Sequence, residues 1–122
     1  MAASALIRIE GTINNEPTGS TVVGPIYQTS AAANGQRTQV VLQSGANTIT
    51  VPSTPAPTGC VVQLPSANTA VTTLKGVSGD TGIAIGKTGC FLLCFDPTAV
   101  PASFVLNSAS TQTGLVTEIT FY

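Results

Sequence analysis

Wherever a pattern of apolar and polar positions can be read along this chain, its period is two. Ile7 and Ile9 alternate with Arg8 and Glu10, and Asn47-Thr48-Ile49-Thr50-Val51 sends aliphatic side chains one way and hydroxyls the other. At the far end Leu115, Thr117, Ile119 and Phe121 alternate with Val116, Glu118, Thr120 and Tyr122, so both ends of the chain read as strands of a sheet. Clusters that contain Gly, Pro, Asn or Asp punctuate the sequence at short intervals: 14–19, 31–35, 44–45, 52–59, 65–68, 76–82, 96–101 and 107–114. Such residues supply special backbone angles or local side-chain hydrogen bonds. Short runs rich in Val, Ile, Thr and Phe lie between them. The pattern predicts an all-β protein, an antiparallel β-sandwich of jelly-roll-like kind with about eight to nine short strands. Its expected core holds Ile7, Ile9, Val41, Ile49, Val62, Leu93, Phe104, Val105 and Phe121. Helix is nearly excluded, because Asn34-Gly35 ends the one helix-favouring triplet, Ala31-Ala32-Ala33.

With 122 residues the chain suits one domain, 1–122, in which residues 1–19 are a candidate extended N-terminal arm. Pro52, Pro55 and Pro57 form the one linker-like stretch. It is expected to be a rigid loop crossing between sheets, since neither side alone has enough strands for a stable core.

Charge narrows the functional classes. Four cations and five carboxylates give a net charge of −1, and only 7% of residues are charged, against roughly 25% in ordinary domains. Four scattered cations cannot neutralise a phosphate backbone, so nucleic acid is not an expected partner. No apolar run approaches the roughly 20 residues of a membrane-spanning helix, and a soluble protein with no membrane partner is expected. The opening Met1-Ala2-Ala3-Ser4-Ala5 lacks the basic and apolar regions of a secretory signal.

Catalysis finds little to work with. There is no His, which removes the Ser/His and Cys/His nucleophile pairs and any imidazole base. Glu10, Glu118, Asp80 and Asp96 have no spacing that argues for a paired acid and base. Charge on the terminal strands, which discourages mispairing, is the expected role of Glu10 and Glu118. Cys60, Cys90 and Cys94 fall one ligand short of a zinc site unless Asp96 joins them. An odd number of cysteines suits a reducing compartment, and three buried free thiols are expected. Cys90 and Cys94 on one strand would lie about 13 Å apart, too far to bond to each other, while a bridge from Cys60 to either stays open. No enzyme activity, cofactor, metal or catalytic residue is expected.

Two loops invite a sharper reading. Gly82-Ile83-Ala84-Ile85-Gly86-Lys87-Thr88 ends like a phosphate-binding loop, but Thr81 stands where that loop needs its first glycine. An apparent strand follows instead of a helix, so a glycine-bounded hairpin is expected. Gly76, Gly79 and Gly82 surround Asp80, the only carboxylate of a segment that would need several to hold calcium. The expectation is a tight turn in which Asp80 accepts backbone hydrogen bonds. Tyr27 and Tyr122 are the candidate aromatic platforms for a sugar or receptor, whereas Phe91, Phe95, Phe104 and Phe121 lie in aliphatic runs and read as core.

Leu74-Lys75-Gly76-Val77-Ser78-Gly79-Asp80-Thr81-Gly82-Ile83, preceded by Ile49-Thr50-Val51-Pro52 and followed by Phe91-Leu92-Leu93 and Phe104-Val105-Leu106, resembles the small β-rich virion structural proteins of tailed bacteriophages. The resemblance runs from Ile49 to Tyr122; residues 1–45 carry none of it. It implies a structural component of the virion, made in the host cytoplasm, present in many copies and without catalytic residues. A capsid decoration or cement protein on the outer surface of the head is the leading expectation. The alternatives are a tail or baseplate component and a receptor- or glycan-binding module of a fibre. The implied partners are the major capsid protein or tail proteins, and further copies of the chain in a homo-oligomer such as a trimer. A surface of Thr, Ser, Asn, Gln and Ala independently suits such assembly, since it can be covered without desolvating ions.

Overall fold

The computed structural model describes residues 5–15, 19–30 and 36–122, and among them all regular structure is β. The ten strands are β1 (Ala5–Asn15), β2 (Gly19–Ser30), β3 (Gln36–Val40), β4 (Gly45–Thr50), β5 (Gly59–Gln63), β6 (Thr72–Lys75), β7 (Ile83–Ile85), β8 (Cys90–Cys94), β9 (Ser103–Ser108) and β10 (Thr117–Phe121). Strands β1 and β2 form a hairpin by themselves. The other eight form two four-stranded antiparallel sheets, ordered β3-β10-β5-β8 and β4-β9-β6-β7. From β3 onward every connection passes from one sheet to the other except the β6–β7 turn. The proline-containing segment after β4 is one of these crossings, as expected.

The core lies between the two sheets. Cys60 and Val62 of β5 and Ile119 and Phe121 of β10 face Ile49 of β4 and Phe104 and Leu106 of β9, and Leu42, Val51 and Leu64 fill the ends. Register places Ile119 beside Val62 and Phe121 beside Cys60. Ile49 pairs with Phe104 in the other sheet. Period two holds through β10, where Thr117, Ile119 and Phe121 are buried and Glu118 and Thr120 are not. Expected core positions Ile49, Val62, Phe104, Val105 and Phe121 are buried, and Leu93, Phe91 and Phe95 pack against the core half-covered.

Three expected core positions are not core. Val41 is exposed, and its neighbour Leu42 turns inward in its place. Ile9 is exposed and Ile7 only half-buried, because both belong to the hairpin and not to either main sheet. The Ala31–Ala33 triplet lies outside the described residues.

The hairpin has one irregularity. Its register shifts between Ile9 and Gly11, where Gly24 and Pro25 together stand opposite Glu10. Gly24 has a φ of +78°, and a Cβ there would lie 2.3 Å from the Ile9 carbonyl oxygen, so only glycine fits this bulge.

Candidate interaction surface

The loops that suggested chemistry are occupied with holding the backbone. The Asp80 carboxylate accepts from the amides of Gly76 (3.1 Å) and Val77 (2.9 Å), as expected of a turn-forming Asp. Gly82 closes that turn with a φ of +74°. The Gly86-Lys87-Thr88-Gly89 turn is not part of a hairpin: it carries the chain from β7 in one sheet to β8 in the other. Sequence misleads here because a two-strand hairpin and a tight crossover use the same glycines. The crossover is pinned by buried Asn68, whose side-chain amide donates to the carbonyls of Lys87 (2.7 Å) and Ala70 (3.0 Å).

The four carboxylates singled out in the sequence each have a local partner. Glu10 pairs with Arg8 at 2.6 Å. Glu118 accepts from Arg37 and from Gln39 on the neighbouring strand, and these hydrogen bonds, Arg37 foremost, hold its carboxyl below its ordinary range. Asp96 accepts from the hydroxyl (2.7 Å) and amide (2.8 Å) of Thr98, which lowers its pKa likewise. Among the described residues no three His, Cys, Asp or Glu side chains group as metal ligands.

None of the three cysteines forms a disulfide, but the expectation that all are buried is wrong for two. Cys60 points into the core, and burial, helped by nearby Cys94, pushes its thiol up to about 12. Cys90 and Cys94 alternate to the opposite face of β8 and are exposed. Tyr122 is no platform: it is buried, its ring lies over Gly59, and its hydroxyl sits 3.8 Å from the Cys94 sulfur. Desolvation raises its pKa. Tyr27, by contrast, is exposed, with the Arg8 guanidinium 5.8 Å from its ring centre.

The feature without a structural explanation is the hairpin. Among the described residues neither β1 nor β2 approaches a strand of the two main sheets at backbone distance. Its apolar side chains are left in the open: Val22 is 70% exposed, Leu6 63%, Ile26 56%, Tyr27 55% and Ile9 40%. Facing it, the outer side of the β3-β10-β5-β8 sheet is divided by register. Arg37, Gln39, Glu118 and Thr120 make its β3–β10 half polar, while its β5–β8 half carries Val61, Leu92 and Cys90 with the single polar side chain Gln63 beside Cys90. Between that apolar stripe and Ile7–Glu10 of β1 runs an open groove of about 380 Å³. Ile7 and Ile9 read as core in sequence, so this surface was missed; the alternation marks an apolar face but not what covers it.

Sequence also missed a buried polar cluster. The Gln112 amide nitrogen donates to the hydroxyl oxygens of Ser108 (3.0 Å) and Thr72 (3.4 Å), its backbone amide donates to the Leu42 carbonyl (2.9 Å), and the Ser108 hydroxyl donates to the Ser110 carbonyl. The cluster ties the 109–116 loop to β6 and β9. No helix among the described residues is long and apolar enough to cross a membrane. Family models, curated proteins and solved structures were compared with the chain, and none matches.

Proposed function

We propose that this chain is a non-enzymatic structural virion protein of a tailed bacteriophage, a decoration or cement subunit docking on the outer surface of the head. The observation that carries the reading is the strand order. Sheets ordered β3-β10-β5-β8 and β4-β9-β6-β7, with the chain changing sheets at every connection but one, support reading the sandwich as an eight-stranded jelly roll. That architecture recurs in viral capsid domains, and the support is analogy at the level of fold. It agrees with the sequence resemblance over residues 49–122, which implies the same kind of protein independently of strand order.

The surface adds a second line. The carboxylates of the body are engaged, Glu118 by Arg37 and Asp80 and Asp96 by backbone amides, and the largest run of exposed apolar side chains among the described residues is on the hairpin, a device for contact and not for catalysis. Such a subunit docks through apolar area and neutral hydrogen bonds to the major capsid protein. The test is to mix purified protein with particles prepared without it and image them. Regular density over the head supports the reading. Density confined to the tail or its tip moves the assignment there. Binding to host-surface glycans with no binding to particles overturns it in favour of a recognition module, the other common use of jelly rolls.

A further inference from the structure

We infer that the open edge of the sandwich between β7 and β8 is a binding cleft for a fatty acid, which lays its hydrocarbon chain between the sheets and its carboxylate against Lys75. The inference goes beyond the assembly reading and does not depend on it.

Strands β7 and β8 are end strands of different sheets, so no backbone ladder joins the sheets along this side. Ile83 of β7 is in register with Leu74 of β6, and Leu74 with the fully buried Leu106 of β9. Residues opposite one another in a sheet share a face, so Ile83 points toward the inside of the sandwich. It is nevertheless 68% exposed. An inward side chain left in water marks a place between the sheets that the chain does not fill. Across the gap, Leu93 of β8 and the following Phe95 pack against the core only half-covered, and Phe104 lines the gap from β9. The opening measures about 410 Å³. Ligand sites span roughly 300–1,000 Å³ and are mostly apolar with a few polar groups, as here.

Charge selects the ligand. Lys75 and Asp80 are the charged residues of the lining. The Asp80 carboxylate accepts from the amides of Gly76 and Val77, which offset its charge. The Lys75 ammonium donates to the Ser78 carbonyl at 3.4 Å and forms no ion pair among the described residues. Its stem lies over the turn at Gly82, where a Cβ would come 2.6 Å from Lys75 Cγ. The cleft thus offers apolar walls and one uncommitted cation, a match for an apolar chain with a single anionic head and a mismatch for a cationic amphiphile.

Isothermal titration calorimetry of the full-length chain with decanoate, kept below its micelle concentration, should show saturable binding of one ligand per chain. Lys75→Gln should weaken decanoate roughly fivefold, the effect of one partly exposed ion pair, and leave decanol unchanged. Ile83→Glu puts a carboxylate into the apolar cleft and should weaken decanoate on the order of a hundredfold. Circular dichroism of both variants should keep the wild-type strand signal, since Ile83 is exposed and Lys75 half-exposed. A second readout needs no variant. In the wild type, decanoate should shift the methyl resonances of Leu74, Ile83 and Leu93 and leave those of Ile7 and Ile9, beside the groove at β1, in place. No binding, shifts confined to Ile7 and Ile9, a Lys75→Gln chain that binds decanoate as the wild type does, or capture by phosphatidylglycerol vesicles with no binding of monomeric decanoate would each overturn the inference.

Discussion

Replacing Ile119 by Ala should destabilise the protein far more than making the same change at Ile83. Ile119 sits in the middle of β10, flanked by β3 and β5, and is fully buried between the sheets, while Ile83 starts the edge strand β7 and is 68% exposed. Ile→Ala removes three carbons; at about 0.8 kcal/mol for each buried methylene, the transfer contribution at Ile119 is roughly 2.4 kcal/mol. A partly relaxed cavity adds to this, which brings the expected loss to about 3–4 kcal/mol, inside the range measured for large-to-small core changes. For a domain of this size that is a large share of a total stability of roughly 5–15 kcal/mol. At Ile83 the side chain is mostly in water already, and the loss should stay near about 0.5 kcal/mol. Urea unfolding followed by far-ultraviolet circular dichroism reads both variants at one fixed protein concentration, since association would add to apparent stability. Equal losses at the two positions, or a loss at Ile119 below about 1 kcal/mol, would refute the placement of the core between these two sheets.

Asp80→Ala should lower stability by on the order of 1 kcal/mol and Asp80→Asn by less, because the carboxylate acts as a local cap on two amides; a melting temperature that rises with calcium in the wild type but not in Asp80→Ala would make the turn a metal site instead. The depressed pKa of Glu118 means that its pairing with Arg37 contributes fully above the ordinary carboxylate range and is lost as pH falls through and below it. Acid unfolding of Glu118→Gln should therefore be less steep than that of the wild type, and identical profiles would contradict the assignment. A thiol reagent at mildly alkaline pH should modify Cys90 and Cys94 in the folded protein and reach Cys60 only on unfolding, since Cys60 is buried and its thiol is pushed up to about 12; three equally fast thiols would contradict that placement.

How much of this was legible in the sequence depends on whether a local pattern has one physical meaning. In β10 and through Asn47–Val51 it does: one face is buried, the other is not, and alternation states both. The β1 pattern Ile7-Arg8-Ile9-Glu10 looks the same but lies in a hairpin where Ile9 is exposed and Ile7 only half-buried. Alternation records an apolar face and is silent on its cover. Thr72 and Ser108 are buried although a hydroxyl ordinarily reads as outward, and Gln112 is buried inside a turn cluster. Their inward position depends on loop 109–116 folding back over β6 and β9, a long-range contact with no local signature. The thiols divide for a simpler reason: Cys60 and Cys94 lie on opposite faces of adjacent strands, which their register decides and their spacing does not.

The proposal that this all-β sandwich works by assembly through uncharged surface is tested most directly by counting copies bound per particle as salt is raised. Particles prepared without the protein are incubated with it at low and at high ionic strength, separated from free protein, and the bound chain is quantified. Contacts made of apolar area and neutral hydrogen bonds are not screened, so the copy number at saturation and the half-saturating concentration should be nearly unchanged. A steep loss of bound copies with salt would mean that ion pairs carry the attachment, and would contradict the account.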